Sequence, residues 1–251
     1  MRITPGRKIT NILGAELNKL VTLPSIWLTI SGTFILNLAL AAAFTSIGQQ
    51  GAAGSQSILD IGLATMGYLQ AGFILLGILA ACSEYTGGQI RSTLTVMPWR
   101  GLQLSAKLAA LATITVTAAL IIAASGVLYT LFMMRDTAAG AGIEIDTMLK
   151  ALAGATGYLT LTALLSAAIG SLLRRTTPAL VILLGYYFVI SPVSGDALPG
   201  YFPDKAGSYM YMLSSADKSD VLTPMQGTGI VMLWTLLCIT AAIVLYRKRD
   251  A

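Results

Sequence analysis

The chain has 251 residues, 55% hydrophobic and 11% charged, and its mean hydropathy is +0.76. A soluble domain carries about 25% charged residues, so an ordinary water-soluble enzyme is excluded. The absence of histidine removes HExxH zinc sites, Ser–His hydrolysis, His-ligated haem and imidazole proton relays; neither a metal site nor an intramembrane enzyme is expected.

Residues Pro5–Leu20 open the chain, with Ile9, Ile12, Leu13, Leu17 and Leu20 at helical spacing and Arg7, Lys8, Asn11, Asn18 and Lys19 among the polar positions. This pattern predicts an amphipathic helix lying in the membrane interface, its cations near anionic headgroups; a solvated basic leader is the alternative. Pro5 suits a first helical turn. A polar stretch separates Met1 from the first apolar run, so the first span reads as retained rather than cleaved.

A spanning helix needs about 20 mostly apolar residues. Six segments meet that test: Ser25–Ile47, Ile61–Cys82, Ala106–Met134, Ala151–Leu173, Pro178–Val193 and Gly227–Tyr246. Pro192 and Gly195 interrupt the fifth, which predicts a short, kinked or re-entrant continuation. The expected fold is an all-α polytopic membrane protein, one transmembrane domain over residues 1–251. Twelve of the 16 Lys and Arg fall on the side that holds both termini, and eight of the 11 acidic residues on the other. The positive-inside rule therefore places both termini in the cytoplasm, and the formal +5 charge reflects topology, not nucleic-acid binding.

No Asp, Glu, Lys or Arg falls in the central part of any of these segments. An ion- or proton-coupled carrier uses such a group at mid-membrane depth, so the energy source is expected outside the chain. Asn37 and Gln70 are the notable polar side chains within spans; they are candidates for a translocation path or, as is commoner, for interhelical hydrogen bonds. Gly62, Gly67, Gly72 and Gly77 recur every five residues, about 140° apart around a helix, and so form no single face. Ala163, Ala167 and Gly170 read as a small-residue contact strip or as a plain Ala-rich span. Cys82 and Cys238 read as buried hydrophobes with no disulfide between them.

The loop after the second span, Ser83–Lys107, is the most informative segment. Thr86 and Gln89 have capping-box spacing, Ile90, Leu94 and Met97 follow at i, i+4 and i+7, and Pro98 marks a stop. The spacing predicts an amphipathic helix over residues 86–97 with Arg91, Ser92, Thr93 and Thr95 on its polar side; an ordinary surface connector is the plain alternative.

The outer loop, residues 194–226, is too long for a structureless connection. Its prolines and aromatics predict short interfacial or re-entrant helices. Tyr209, Tyr211 and Met212 are candidates for an outer gate, with interface anchoring as the commoner role of such tyrosines.

The run Glu84-Tyr85-x-x-Gly88-Gln89-Ile90-Arg91-x-Thr93-Leu94, then Pro98-x-Arg100, then Ala106-Lys107, resembles the permease subunits of ABC-2 type transporters, especially the small six-helix actinobacterial-type ones. The leader Ala15–Leu20, Tyr201–Gly207, Leu222–Gly227 and the terminal Arg247–Ala251 agree in the same order, so the resemblance spans nearly the whole chain. It implies that 86–97 is a coupling helix seated on a separate cytoplasmic ABC ATPase, present in two copies, with Tyr85 to Met97 in contact, Glu84 at the junction, and Arg100 and Lys107 anchoring the return into the third span. It further implies a bacterial cytoplasmic-membrane location, a homodimer or a heterodimer with a related permease, and export of a hydrophobic or amphipathic compound such as a drug, peptide antibiotic or lipid-like molecule. No Walker A sequence G-x-x-x-x-G-K-[ST] occurs, so the chain holds no cofactor of its own and ATP with Mg belongs to the partner. A membrane scaffold or regulatory subunit that binds an ABC ATPase without transporting is the alternative.

Overall fold

A computed structural model of the chain describes residues 5–49, 58–86, 100–135, 145–194, 200–212 and 222–248. All regular structure among them is helical: α1 (Pro5–Thr22), α2 (Pro24–Gln49), α3 (Ile58–Leu63), α4 (Met66–Thr86), α5 (Arg100–Met134), α6 (Ile145–Leu173), α7 (Thr176–Gly185), a π-helical turn (Tyr186–Ile190), α8 (Ser191–Ser194), α9 (Pro203–Ser208) and α10 (Pro224–Lys248).

Six helical stretches among the described residues are long and apolar enough to cross a membrane: Pro24–Gly48, Ile58–Ser83, Gly101–Met134, Ile145–Leu173, Thr176–Ser194 and Pro224–Tyr246. The chain is thus a six-span, all-helical polytopic membrane protein. α5 begins six residues before the expected Ala106 and α6 six before the expected Ala151, because helices continue into the polar border after the apolar run ends.

α4 and α6 form the centre of the bundle, while α2, α7 and α10 leave much of their surface outward. Hydrophobicity does not drive helices together in lipid; close packing of small residues does. A Cβ at Gly77 would collide with the Ala163 carbonyl oxygen of α6 and come within 3.1 Å of the Ala167 amide nitrogen. One at Gly170 would sit 3.4 Å from Ala81 Cβ and Cys82 Sγ. Ala163, Ala167 and Gly170 are therefore the strip along which α4 and α6 touch. The other glycines of the second span serve different neighbours, as their spacing requires: Gly62 faces Val127 and Thr130 of α5, and Gly72 faces Thr33 of α2. Cys82 and Cys238 are in no disulfide among the described residues.

Two spans are not continuous α-helices. The second breaks between α3 and α4 at Ala64–Thr65, where the Ala64 amide still reaches the Asp60 carbonyl at 2.9 Å. In the fifth, the interruption expected from Pro192 is a π-turn just ahead of it. Proline lacks an N–H and crowds the carbonyl four residues back; the backbone widens, and the Ser191 N–H reaches Tyr186 O, five residues earlier.

α1 packs against α5 and buries Glu16 and Leu20, while Asn11, Ala15 and Asn18 face outward. Pro24, which cannot donate to a continuing ladder, separates α1 from α2 at Leu23. α10 starts on a reciprocal cap: the Thr223 N–H donates to Gln226 Oε1 at 3.0 Å and the Gln226 N–H to Thr223 Oγ1 at 3.3 Å.

Candidate functional site

Among the described residues, three polar assemblies interrupt the apolar bundle, and α4 or the break at its start takes part in each.

The first lies at the end of the bundle where α4 ends its described run and α5 begins. Tyr85, in the last turn of α4, and Lys107, in the second turn of α5, line one small pocket with Ala81, Gln103, Leu104, Ser171 and Tyr246. Lys107 and Gln103 are buried, 6% and 2% exposed. Arg174 closes the cluster with its guanidinium over the Tyr85 ring, 5.7 Å from the centroid. It stands in the two-residue turn between α6 and α7 with φ 55°, and its N–H donates to Gly170 O at 2.8 Å. A left-handed residue at that place is the usual helix stop, but glycine is the usual occupant; the Tyr85 contact is what arginine adds.

Of the residues the sequence assigns to ATPase coupling, Tyr85 and Lys107 are thus brought together. Glu84 and Thr86 lie on α4 and Arg100 opens α5. α4 is described through Thr86, and the rest of the helix that the spacing places over residues 86–97 lies outside the described residues. Gly88, Gln89, Ile90, Arg91, Thr93, Leu94, Met97 and Pro98 lie outside the described residues.

The second assembly is at mid-bundle. Asn37 of α2 is fully buried. Its amide nitrogen donates to Ile122 O at 2.8 Å and to Ser125 Oγ at 3.1 Å, both on α5, and its carbonyl oxygen accepts from Thr65 Oγ1 at 3.0 Å. Thr65 sits in the break between α3 and α4. One amide therefore ties α2 to α5 and supplies an acceptor at the place where the second span leaves helical geometry.

The third assembly lies toward the opposite end. The Tyr158 hydroxyl of α6, 1% exposed by residue, donates to Gln70 Oε1 of α4, and Asp204 Oδ1 of α9 lies 3.5 Å from the same hydroxyl. Ser191 of α8 donates to Asp204 Oδ2. The Tyr211 ring, 4% exposed, packs on Tyr158 with centroids 5.5 Å apart. Burial, and next the Asp204 carboxylate, push the Tyr211 hydroxyl pKa well up from its ordinary value, so it stays neutral.

Glycines make this docking possible. A Cβ at Gly207 would enter the Tyr158 ring, one at Gly154 would strike Met210 O, and one at Gly227 would come within 2.5 Å of Ala206 O. α9 thus brings a carboxylate oxygen to 3.5 Å from a buried hydroxyl of the fourth span.

Gln70 and Tyr211 thus share one cluster. Tyr209 packs at the start of α10, its Cβ 3.4 Å from where a Gly227 side chain would begin; Met212 lies at the edge of the core. Asn37 belongs to the separate mid-bundle assembly. Sequence reading missed Tyr158, Ser191, Asp204 and Arg174. Asp204 reads as a loop acid, and only the tight apposition of Gly154, Gly207 and Gly227 brings it inward.

Compared with known proteins, no family model matches the chain and no curated protein does.

Proposed function

We propose that the chain is the membrane-spanning half of an ATP-driven exporter of ABC-2 type, coupled to a separate cytoplasmic ATPase. The observation that carries this reading is the Glu84–Lys107 motif, together with the meeting of its two flanks, Tyr85 and Lys107, at one pocket. Residues 86–97 are the coupling helix in this reading. Both termini are cytoplasmic by charge, α1 lies in the inner interface of a bacterial cytoplasmic membrane, and the chain hydrolyses nothing itself.

The lever follows from α4. Tyr85 and Gln70 are fifteen residues apart on one unbroken helix, about 22 Å. Closure of two ATPases displaces the coupling segment, α4 moves as a rod against the small-residue strip of α6, and Gln70 pulls on Tyr158 and Asp204. Work done at one end reaches the outer segment in this way, a rigid-element transition of the kind that alternates access. Two permeases, identical or related, pair around the path, with Tyr209, Tyr211 and Met212 at the outer seal; Asn37, buried and bonded to Ile122, Ser125 and Thr65, serves as the interhelical tie rather than a path residue. The cargo in this reading is hydrophobic or amphipathic: a drug, peptide antibiotic or lipid-like compound.

The test is a complex purified with its ATPase. Glu84→Ala and Arg91→Glu lower substrate-stimulated ATP hydrolysis while membrane insertion is unchanged; coupling that survives both changes, or the absence of any co-purifying ATPase, rejects the proposal. ATPase binding without ATP-dependent movement of any compound into proteoliposomes identifies a scaffold instead.

A further inference from the structure

Arg174 stands in the turn between α6 and α7 with φ 55°, a left-handed conformation that glycine takes freely and a residue with a Cβ resists. We propose that it is a positioning residue of the transport cycle. Its guanidinium fixes Tyr85, and so the end of α4 next to the coupling segment, to the α6–α7 turn, and the fifth span then moves with α4. The proposal rests on the exporter reading above and gives it a second route to the outer segment.

The first argument is what the strained backbone retains. Leu173 before it and Arg175 after it are exposed, whereas Arg174 is half-buried. Its guanidinium lies over the Tyr85 ring, 5.7 Å from the centroid, inside the reach of about 6 Å for a cation–π contact. Among the described residues it has no carboxylate partner. The helix stop itself needs only the N–H, which donates to Gly170 O at 2.8 Å and which glycine supplies equally well. The ring contact is the feature of this turn that calls for a long cation.

The junction around it supplies the second argument. Gly170 O also accepts from Cys82 Sγ of α4 at 3.5 Å, so one carbonyl holds both the turn and α4. Further along, Ile74, Ile78 and Cys82 of α4 share an apolar cluster with Ala179 and Leu183 of α7 and Tyr187 of the π-turn. Packed apolar helices slide over one another by small shears, whereas a charge over a ring face has one favoured position. The Arg174–Tyr85 contact thus sets the register in which the two helices travel.

The far ends supply the third. Ser191 is seventeen residues past Arg174, about 25 Å along the fifth span, and donates to Asp204 Oδ2. Gln70 of α4 accepts from Tyr158, whose hydroxyl faces Asp204 Oδ1. Two rods of similar length therefore start at one cation–π contact and end on one carboxylate of α9.

The test uses the complex purified with its ATPase, with and without MgATP plus vanadate, and reads amide exchange over Pro203–Ser208. Nucleotide changes that exchange rate in the unaltered complex. Arg174→Gly and Arg174→Asn relax the left-handed turn and remove the cation; each keeps or raises the thermal midpoint, while the nucleotide-driven change shrinks at least about threefold, the scale of one cation–π contact. Arg174→Lys keeps a cation on a strained backbone and retains more of the change than either. Tyr85→Leu loses as much as Arg174→Gly, and the two together lose no more than one alone. An Arg174→Gly complex that responds like the parent overturns this proposal and leaves the exporter reading standing. A loss as large in Arg174→Lys, or midpoints lowered in both relaxed variants, also overturns it, since the residue is then only structural. An ATPase that fails to co-purify with the parent, or a parent whose α9 ignores nucleotide, overturns both.

Discussion

Asn37 and Ile122 are 85 residues apart in the chain, yet the Asn37 amide donates to the Ile122 carbonyl oxygen at 2.8 Å deep inside the bundle. The same side chain accepts from Thr65 in the break of the second span. The bond is interhelical, and it coincides with irregular backbone, where a buried polar group needs a partner most.

Interhelical hydrogen bonds in membranes average about 0.6 kcal/mol each, and Asn37 makes three. Asn37→Leu is expected to destabilise the protein by about 2 kcal/mol on that scale, read as a lowered midpoint in detergent thermal unfolding. A variant as stable as the parent removes the structural weight placed on this bridge.

Packing at the α4–α6 strip separates two glycines that look alike in sequence. Gly77→Ala drives a methyl into the Ala163 carbonyl and is expected to cost about 1–3 kcal/mol, as overpacking does. Gly32→Ala meets nothing within 4 Å and is expected to gain about 0.5–1 kcal/mol from helix propensity. Opposite signs in a paired melting experiment are the expected result; two losses of equal size contradict it.

Tyr158→Phe keeps the ring but removes the hydroxyl that reaches Gln70 and faces Asp204. The α9 segment, Pro203–Ser208, is then expected to exchange its amide hydrogens about tenfold faster, the factor for about 1.4 kcal/mol of lost local stability. Mass-spectrometric exchange reads this directly. Protection unchanged over that segment shows that glycine packing alone holds it.

The Tyr211 hydroxyl has its pKa raised above the ordinary value of 10.0 by burial and by Asp204. Its neutral form is favoured in the fold, so the stability it lends is full below pH 10 and is lost as pH rises beyond that, where the unfolded chain ionises first. Tyr211→Phe is expected to leave the midpoint at pH 7 nearly unchanged and to reduce its fall above pH 10. A steeper alkaline fall in the variant reverses the sign and rejects this account.

Much of the architecture is legible in the chain because membranes impose a length and polarity rule on each span separately. Six spans and the irregularity at Pro192 both follow from local composition. Helix ends were less legible: α5 and α6 begin before their apolar runs, and α4 continues through Thr86, since hydrogen-bonded turns do not stop where hydropathy does.

What only the tertiary structure decided is which polar groups meet. Arg174 over Tyr85, Asn37 beneath Thr65, and Asp204 beside Tyr158 each join residues that sequence spacing cannot relate. Hydropathy is a property of one segment at a time, and it sets how many helices cross. Close approach depends on the shapes of two surfaces together, and here glycines on separate helices set it: Gly77 against Ala163, Gly207 against Tyr158, Gly154 against Met210.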